Sequence, residues 1–138
     1  RKAGLSQLVE AASVEDAKKV LATAVTPYWE THYTFGSTSV RNDKNLSPFS
    51  LNLLCINTVV PILFAYGRHR GEEKYCDRAF DFLEQLRPEN NYIIRLWQQS
   101  GLVVDNAGDS QALIQLKKEY CDKKECLRCR FGYEYLKL

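Results

Sequence analysis

Three cysteines near the C-terminus are the residues of this 138-residue sequence whose type and spacing most readily suggest chemistry. Cys121-Asp122-Lys123-Lys124-Glu125-Cys126-Leu127-Arg128-Cys129 is a C-x4-C-x2-C cluster. Cys126 and Cys129 are three apart, so they can point to one side of a helical turn or knuckle. Cys121 ends the preceding helical pattern, and the Asp122–Glu125 turn can fold it back towards them. Three converging thiols suit zinc or an iron–sulfur cluster, both of which take soft sulfur donors. A closed site needs a fourth ligand, and nothing downstream of Cys129 supplies one. The fourth would be Cys76, Cys55, His32 or His69 brought in by folding, or a group outside the chain. A site left with three would keep an open position, as catalytic zinc does. Two other readings stand beside the metal. The thiols are plain reduced side chains, or they do redox or disulfide chemistry as Cys126–Cys129 or Cys121–Cys126 pairs. The total of five cysteines argues against complete intramolecular pairing, and nearby cations would lower a thiol pKa.

Charge adds a second candidate. The segment from Lys117 to Leu138 has seven Lys/Arg and four Asp/Glu, a net +3, whereas the 116 residues before it net −1. Lys123, Lys124, Arg128 and Arg130 could track the phosphates of a nucleic acid, and Phe131, Tyr133 and Tyr135 could stack its bases, which would make this the docking half of an enzyme whose catalytic residues lie in a preceding N-terminal half. The alternative is a solvated helix face with its apolar residues turned inwards. Glu30-Thr31-His32-Tyr33 puts an acid near an imidazole, but within an aromatic run where a packed, hydrogen-bonded His fits as well. No phosphate-binding loop, dinucleotide glycine fingerprint, H-E-x-x-H or G-x-S-x-G occurs, so no catalytic residue is named and enzymatic activity stays open.

The elements that must position these groups are helical almost throughout. Leu5, Leu8, Val9 and Ala12 share one face; Ser13 caps a second helix with Val14, Ala17, Leu21 and Ala24 on its stripe. Tyr28 to Phe35 is aromatic-rich, and Gly36 to Asn45 reads as a polar loop. Ser47-Pro48 starts a long apolar helix that Pro61 should kink or split near Val60 and that Gly67 should close. Glu72 to Leu86 is amphipathic through Cys76, Ala79, Phe80, Leu83 and Leu86. Tyr92 to Trp97 is short and ends by Gly101, and Asp109 caps a last clear helix ending at Tyr120. No β alternation or repeat interrupts this. The expected fold is all-α: about six short helices in one domain, ending in a Cys-containing helical knuckle.

Composition agrees with a packed domain. Apolar residues make up 45% and charged residues 26%, and seven Gly and four Pro exclude a fibrous repeat. The overall charge of +2 by itself argues for no polyanionic partner. Phe49 to Tyr66 is apolar, but Ser50, Asn52, Asn57, Thr58 and Pro61 within it point to a buried helix rather than a membrane span. The chain has no Met and opens Arg1-Lys2-Ala3, which reads as a piece of a longer polypeptide without a signal peptide.

Four strings together resemble a known family. They are Tyr28-Trp29-Glu30-Thr31-His32-Tyr33-Thr34-Phe35-Gly36; Ile56-Asn57-Thr58-Val59-Val60-Pro61 with Phe64-Ala65-Tyr66-Gly67; Pro88-Glu89-Asn90-Asn91; and Asp109 to Leu116 followed by Tyr120-Cys121 and Cys126-Leu127-x-Cys129-Arg130-x-Gly132. They resemble the C-terminal half of the bacteroidete family catalogued as domain of unknown function 2851. The resemblance implies a bacterial, cytoplasmic protein whose N-terminal half precedes Arg1 and partners this one. It implies no activity.

Overall fold

The structure, a computed structural model, describes residues 4–136; the Arg1-Lys2-Ala3 opening lies outside them. The all-α expectation holds. The described helices are α1 (Gly4–Glu10), α2 (Val14–Leu21), α3 (Pro27–Glu30), α4 (Pro48–Arg70), α5 (Glu73–Gln85), α6 (Tyr92–Gln99), α7 (Ala107–Leu116, continued by a π turn Lys117–Cys121) and α8 (Arg130–Leu136). One small hairpin joins them, β1 (His32–Thr34) with β2 (Ser37–Thr38), paired antiparallel around Gly36 at φ 76°. Strands this short carry too few residues for alternation to show, so the aromatic run gave no β signal. The chain divides into two compact units, residues 1–82 and 83–138, with the boundary inside α5.

In the first unit α4 is the spine. Ser47 caps it by accepting the Ser50 N–H at 3.1 Å, as Ser-Pro predicts. Pro61 lacks an N–H and its ring crowds the preceding turn. The helix does not break there; it widens into a π turn over Cys55–Val59 and continues. Gly67 does not end it either. A Cβ at Gly67 would stand 2.8 Å from Cys76 Sγ and 3.0 Å from the Glu72 carbonyl oxygen, so this glycine sits inside the helix to let α5 approach. The terminator is Gly71, in the left-handed region at φ 68°.

One face of α4 is buried through Cys55, Ile56, Val59, Val60 and Leu63, joined by Val14 and Ala17 of α2 and Leu8 and Val9 of α1. Its other face leaves Phe49 and Phe64 exposed, so this helix is a half-buried element rather than the fully buried one its hydropathy suggests. It is also the one described helix long and apolar enough to cross a membrane by length and composition. Arg78 of α5 fixes the α1–α2 connection by donating to the carbonyls of Val9 and Ala11 at 3.2 and 3.1 Å. On α5 Ala79 and Phe82 are buried, while Phe80 is exposed and packs edge-on against Phe64.

The second unit is held by polar ties as much as by core. The Ala107 N–H donates to the Leu86 carbonyl at 2.9 Å, the Glu89 N–H to buried Ser110 Oγ at 3.2 Å, and Gln111 to the Glu89 carboxylate. Asn91 caps α6 and Asn106 caps α7, each accepting an N–H three residues on. The cap of α7 therefore lies three residues before the expected Asp109; Asp109 instead accepts the Asp105 N–H at 3.1 Å. Ile93, Ile94, Val104 and Ala107 form the small core.

Candidate functional site

Helix α7 ends in a π turn, in which backbone bonds reach back five residues rather than four. Asp122 N–H donates to the Lys117 carbonyl at 2.9 Å and Glu125 N–H to the Tyr120 carbonyl at 2.9 Å. Turns of this kind concentrate at functional sites. Lys124 follows with φ 56°, the one non-glycine residue with positive φ among those described. The chain reverses there, and the Cys126–Cys129 turn closes through Cys129 N–H to the Glu125 and Cys126 carbonyls at 3.1 and 3.2 Å. Gly132 then packs on this turn so closely that a Cβ would stand 2.3 Å from the Cys126 carbonyl oxygen.

The result is a cavity of about 230 Å³ in the second unit. Trp97 and Leu102 line one part, Leu113, Leu116 and Tyr120 another, and Phe131 and Gly132 close it from the tail. Cys121, Cys126 and Cys129 all line it as well. The expected convergence of the three cysteines is thus found at the level of a shared wall. Cys129 is buried, Cys121 and Cys126 are exposed, and all five cysteines of the chain are free thiols. No disulfide of either proposed pairing forms. Among the described residues no three His, Cys, Asp or Glu side chains, as placed, form a group that could hold a metal ion.

The electrostatics run against the redox expectation. Burial pushes the Cys121 thiol above its ordinary value, and the neighbouring Cys129 and Cys126 push it further, outweighing Lys117. The cations that were to activate it are largely engaged. Lys117 pairs with Asp122, Lys123 with Glu119, Arg128 with Glu125 at 3.0 Å and Arg130 with Glu134 at 3.4 Å. Three of the four cations suggested for phosphate contact, Lys123, Arg128 and Arg130, therefore have a carboxylate partner close by in sequence; Lys124 occupies the left-handed turn. Phe131 and Tyr135 are strongly exposed.

The other candidate ligands, His32, His69, Cys55 and Cys76, belong to the first unit. His32 is held by its neighbours: Nδ1 lies 2.8 Å from the Tyr28 carbonyl oxygen and 3.0 Å from Thr31 Oγ1, and its ring stacks on Tyr28 at 4.0 Å. Cys55 is fully buried, and Cys76 is half-buried with Sγ 3.6 Å from the Phe64 carbonyl oxygen. The sequence reading missed the cavity's apolar wall. Trp97, Leu113 and Leu116 read as ordinary core positions, and nothing in their local pattern separates them from such positions.

Fold and site together define a helical protein with a thiol-lined apolar cavity. The family profile described as protein of unknown function (DUF2851) matches residues 1–92, and the chain belongs to that family. The match takes in the first three of the four resembling strings; the cavity residues from Trp97 onward lie beyond it. Comparison with curated proteins and with solved structures gives no match.

Proposed function

We propose that this chain is a helical binding module and that its working site is the cavity whose wall the three thiols share. The observation that carries this is the shared wall: Cys121, Cys126 and Cys129, spread over nine residues, face one cavity shaped by a π turn, a left-handed lysine and a close glycine contact. Unusual backbone held in place by its surroundings is characteristic of sites rather than of plain packing. The thiols are the soft donors in that wall, and soft donors select zinc or an iron–sulfur cluster. Cys129 is buried and Cys121 and Cys126 are exposed, so a metal would have to draw the exposed pair towards Cys129. Tyr120 aside, the cavity wall adds only apolar residues and a glycine, so such a centre would keep a position for a ligand from outside it.

Metal content and the visible spectrum of anaerobically purified protein test this, together with cobalt(II) titration. One metal per chain, with an intense thiolate-to-cobalt band lost in Cys126→Ser, is the expected result. Metal-free protein that binds no cobalt, with Cys126→Ser as stable as wild type, overturns the metal centre.

A further inference from the structure

We propose that the same cavity takes a small, uncharged, mainly apolar molecule of about ten heavy atoms, beside the thiols and without needing a metal. It shares the cavity with the reading above but rests on different atoms, those of the apolar wall. Size is the first argument. At about 230 Å³ the cavity is larger than an apolar cavity of about 150 Å³, which suffices to bind benzene. Composition is the second. Trp97, Leu102, Leu113, Leu116 and Phe131 supply aromatic and branched aliphatic surface, and no charged side chain lines the cavity. The Trp97 indole N–H is already spent on the Leu113 carbonyl at 3.2 Å, so its ring offers a face and no unmet donor.

Charge is the third argument. Of the cations in and beside the knuckle, Lys117, Lys123, Arg128 and Arg130 pair with Asp122, Glu119, Glu125 and Glu134, and neither they nor Lys124 lines the cavity, so its wall offers an anion no cation. An anionic ligand would lose its hydration on entry and gain no partner. The fourth is that the site is preformed yet incompletely covered. Phe131 is 71% and Leu102 43% exposed although both line the cavity, so an apolar ligand removes their surface from water. Cys121 and Cys126, exposed on the same wall, report on its occupancy.

The test uses the full chain carrying Trp29→Phe, which leaves Trp97 as the single indole, with 1-naphthol as probe and 1-naphthoate as its charged counterpart. Saturable quenching of Trp97 by naphthol, slower alkylation of Cys121 and Cys126 in the complex, and binding of naphthoate weaker by about tenfold or more are expected. Leu102→Tyr, at a half-exposed loop position that tolerates bulk and adds no second indole, should fill the mouth and weaken naphthol by about tenfold while leaving thermal stability near wild type. No saturable quenching up to the solubility of naphthol, or equal affinity for naphthoate, overturns the proposal. Titrations before and after chelator treatment separate the two readings. Naphthol binding by protein that takes up no cobalt keeps this one and removes the metal; metal binding without naphthol binding does the reverse.

Discussion

The two units put similar residues to different use. In the first, large apolar side chains close on one another: Cys55, Val59 and Leu63 of α4 and Phe82 of α5 are almost wholly shielded from solvent. In the second, Trp97, Leu102, Leu113, Leu116 and Phe131 face a cavity instead of a partner. The family match covers all of the first unit and only the first ten residues of the second. An amphipathic stripe marks the residues a helix turns inwards, but not whether a neighbour fills the space it faces. The difference arises after α7, where the π turn and the Lys124 reversal hold the tail off the helix rather than letting it continue the packing.

The largest expected effect separates filled from unfilled space. Leu63→Ala empties a fully buried site and should destabilise the protein by about 2–5 kcal/mol in urea unfolding. Leu116→Ala enlarges a cavity that already exists and is only half-buried, and should cost about 1 kcal/mol. Equal losses would mean that the cavity wall is ordinary core, and the contrast between the units would fail. A smaller effect tests the knuckle. Gly132→Ala forces a Cβ against the Cys126 backbone, which cannot swing aside as a side chain would, and should destabilise by about 1–3 kcal/mol while raising alkylation of Cys129. Gly4→Ala, in α1 with nothing within 4 Å, should be neutral or gain a few tenths of a kcal/mol through helix propensity. A Gly132→Ala protein with wild-type stability and thiol reactivity would show that the tail does not seal the site.

Helix positions were legible because caps and stripes are local: Ser13, Ser47 and Gly101 do what their types predict. The misplacements all come from tertiary contacts. Gly67 reads as a stop, yet Cys76 and Tyr75 need its missing side chain within α4. Asp109 and Asn106 are both good caps, and the Ala107–Leu86 hydrogen bond favours the earlier start. The spacing of Cys121, Cys126 and Cys129 predicted that they would converge, because it depends on one turn. The cavity beside them depends on Trp97, Leu102 and Phe131 coming together, which no local pattern encodes.

The subtlest contrast is between two thiols whose pKa is raised. Cys55 is wholly shielded in the first unit and is pushed up by burial, with Lys18 opposing and Glu15 adding slightly. Cys121 is exposed on the second unit's cavity wall and is pushed up by burial, then by Cys129 and Cys126. In each case the folded state keeps its proton to higher pH than the unfolded chain does. The stability tied to the neutral thiol is therefore fully present below the unfolded pKa of about 8.5 and is lost as pH rises through the folded value. Desolvation of a shielded group is hard to relax, whereas an exposed thiol can turn to water. Between pH 7 and about pH 9.5, wild type should thus lose more stability than Cys55→Ala, and the corresponding difference for Cys121→Ala should be smaller. Urea midpoints at the two pH values for the three proteins decide it, because the truncation cost of each variant is common to both pH values and cancels. If Cys121→Ala removed the larger alkaline loss, the mutual repulsion of the three thiols would outweigh burial, and they would be closer neighbours than a shared cavity wall requires.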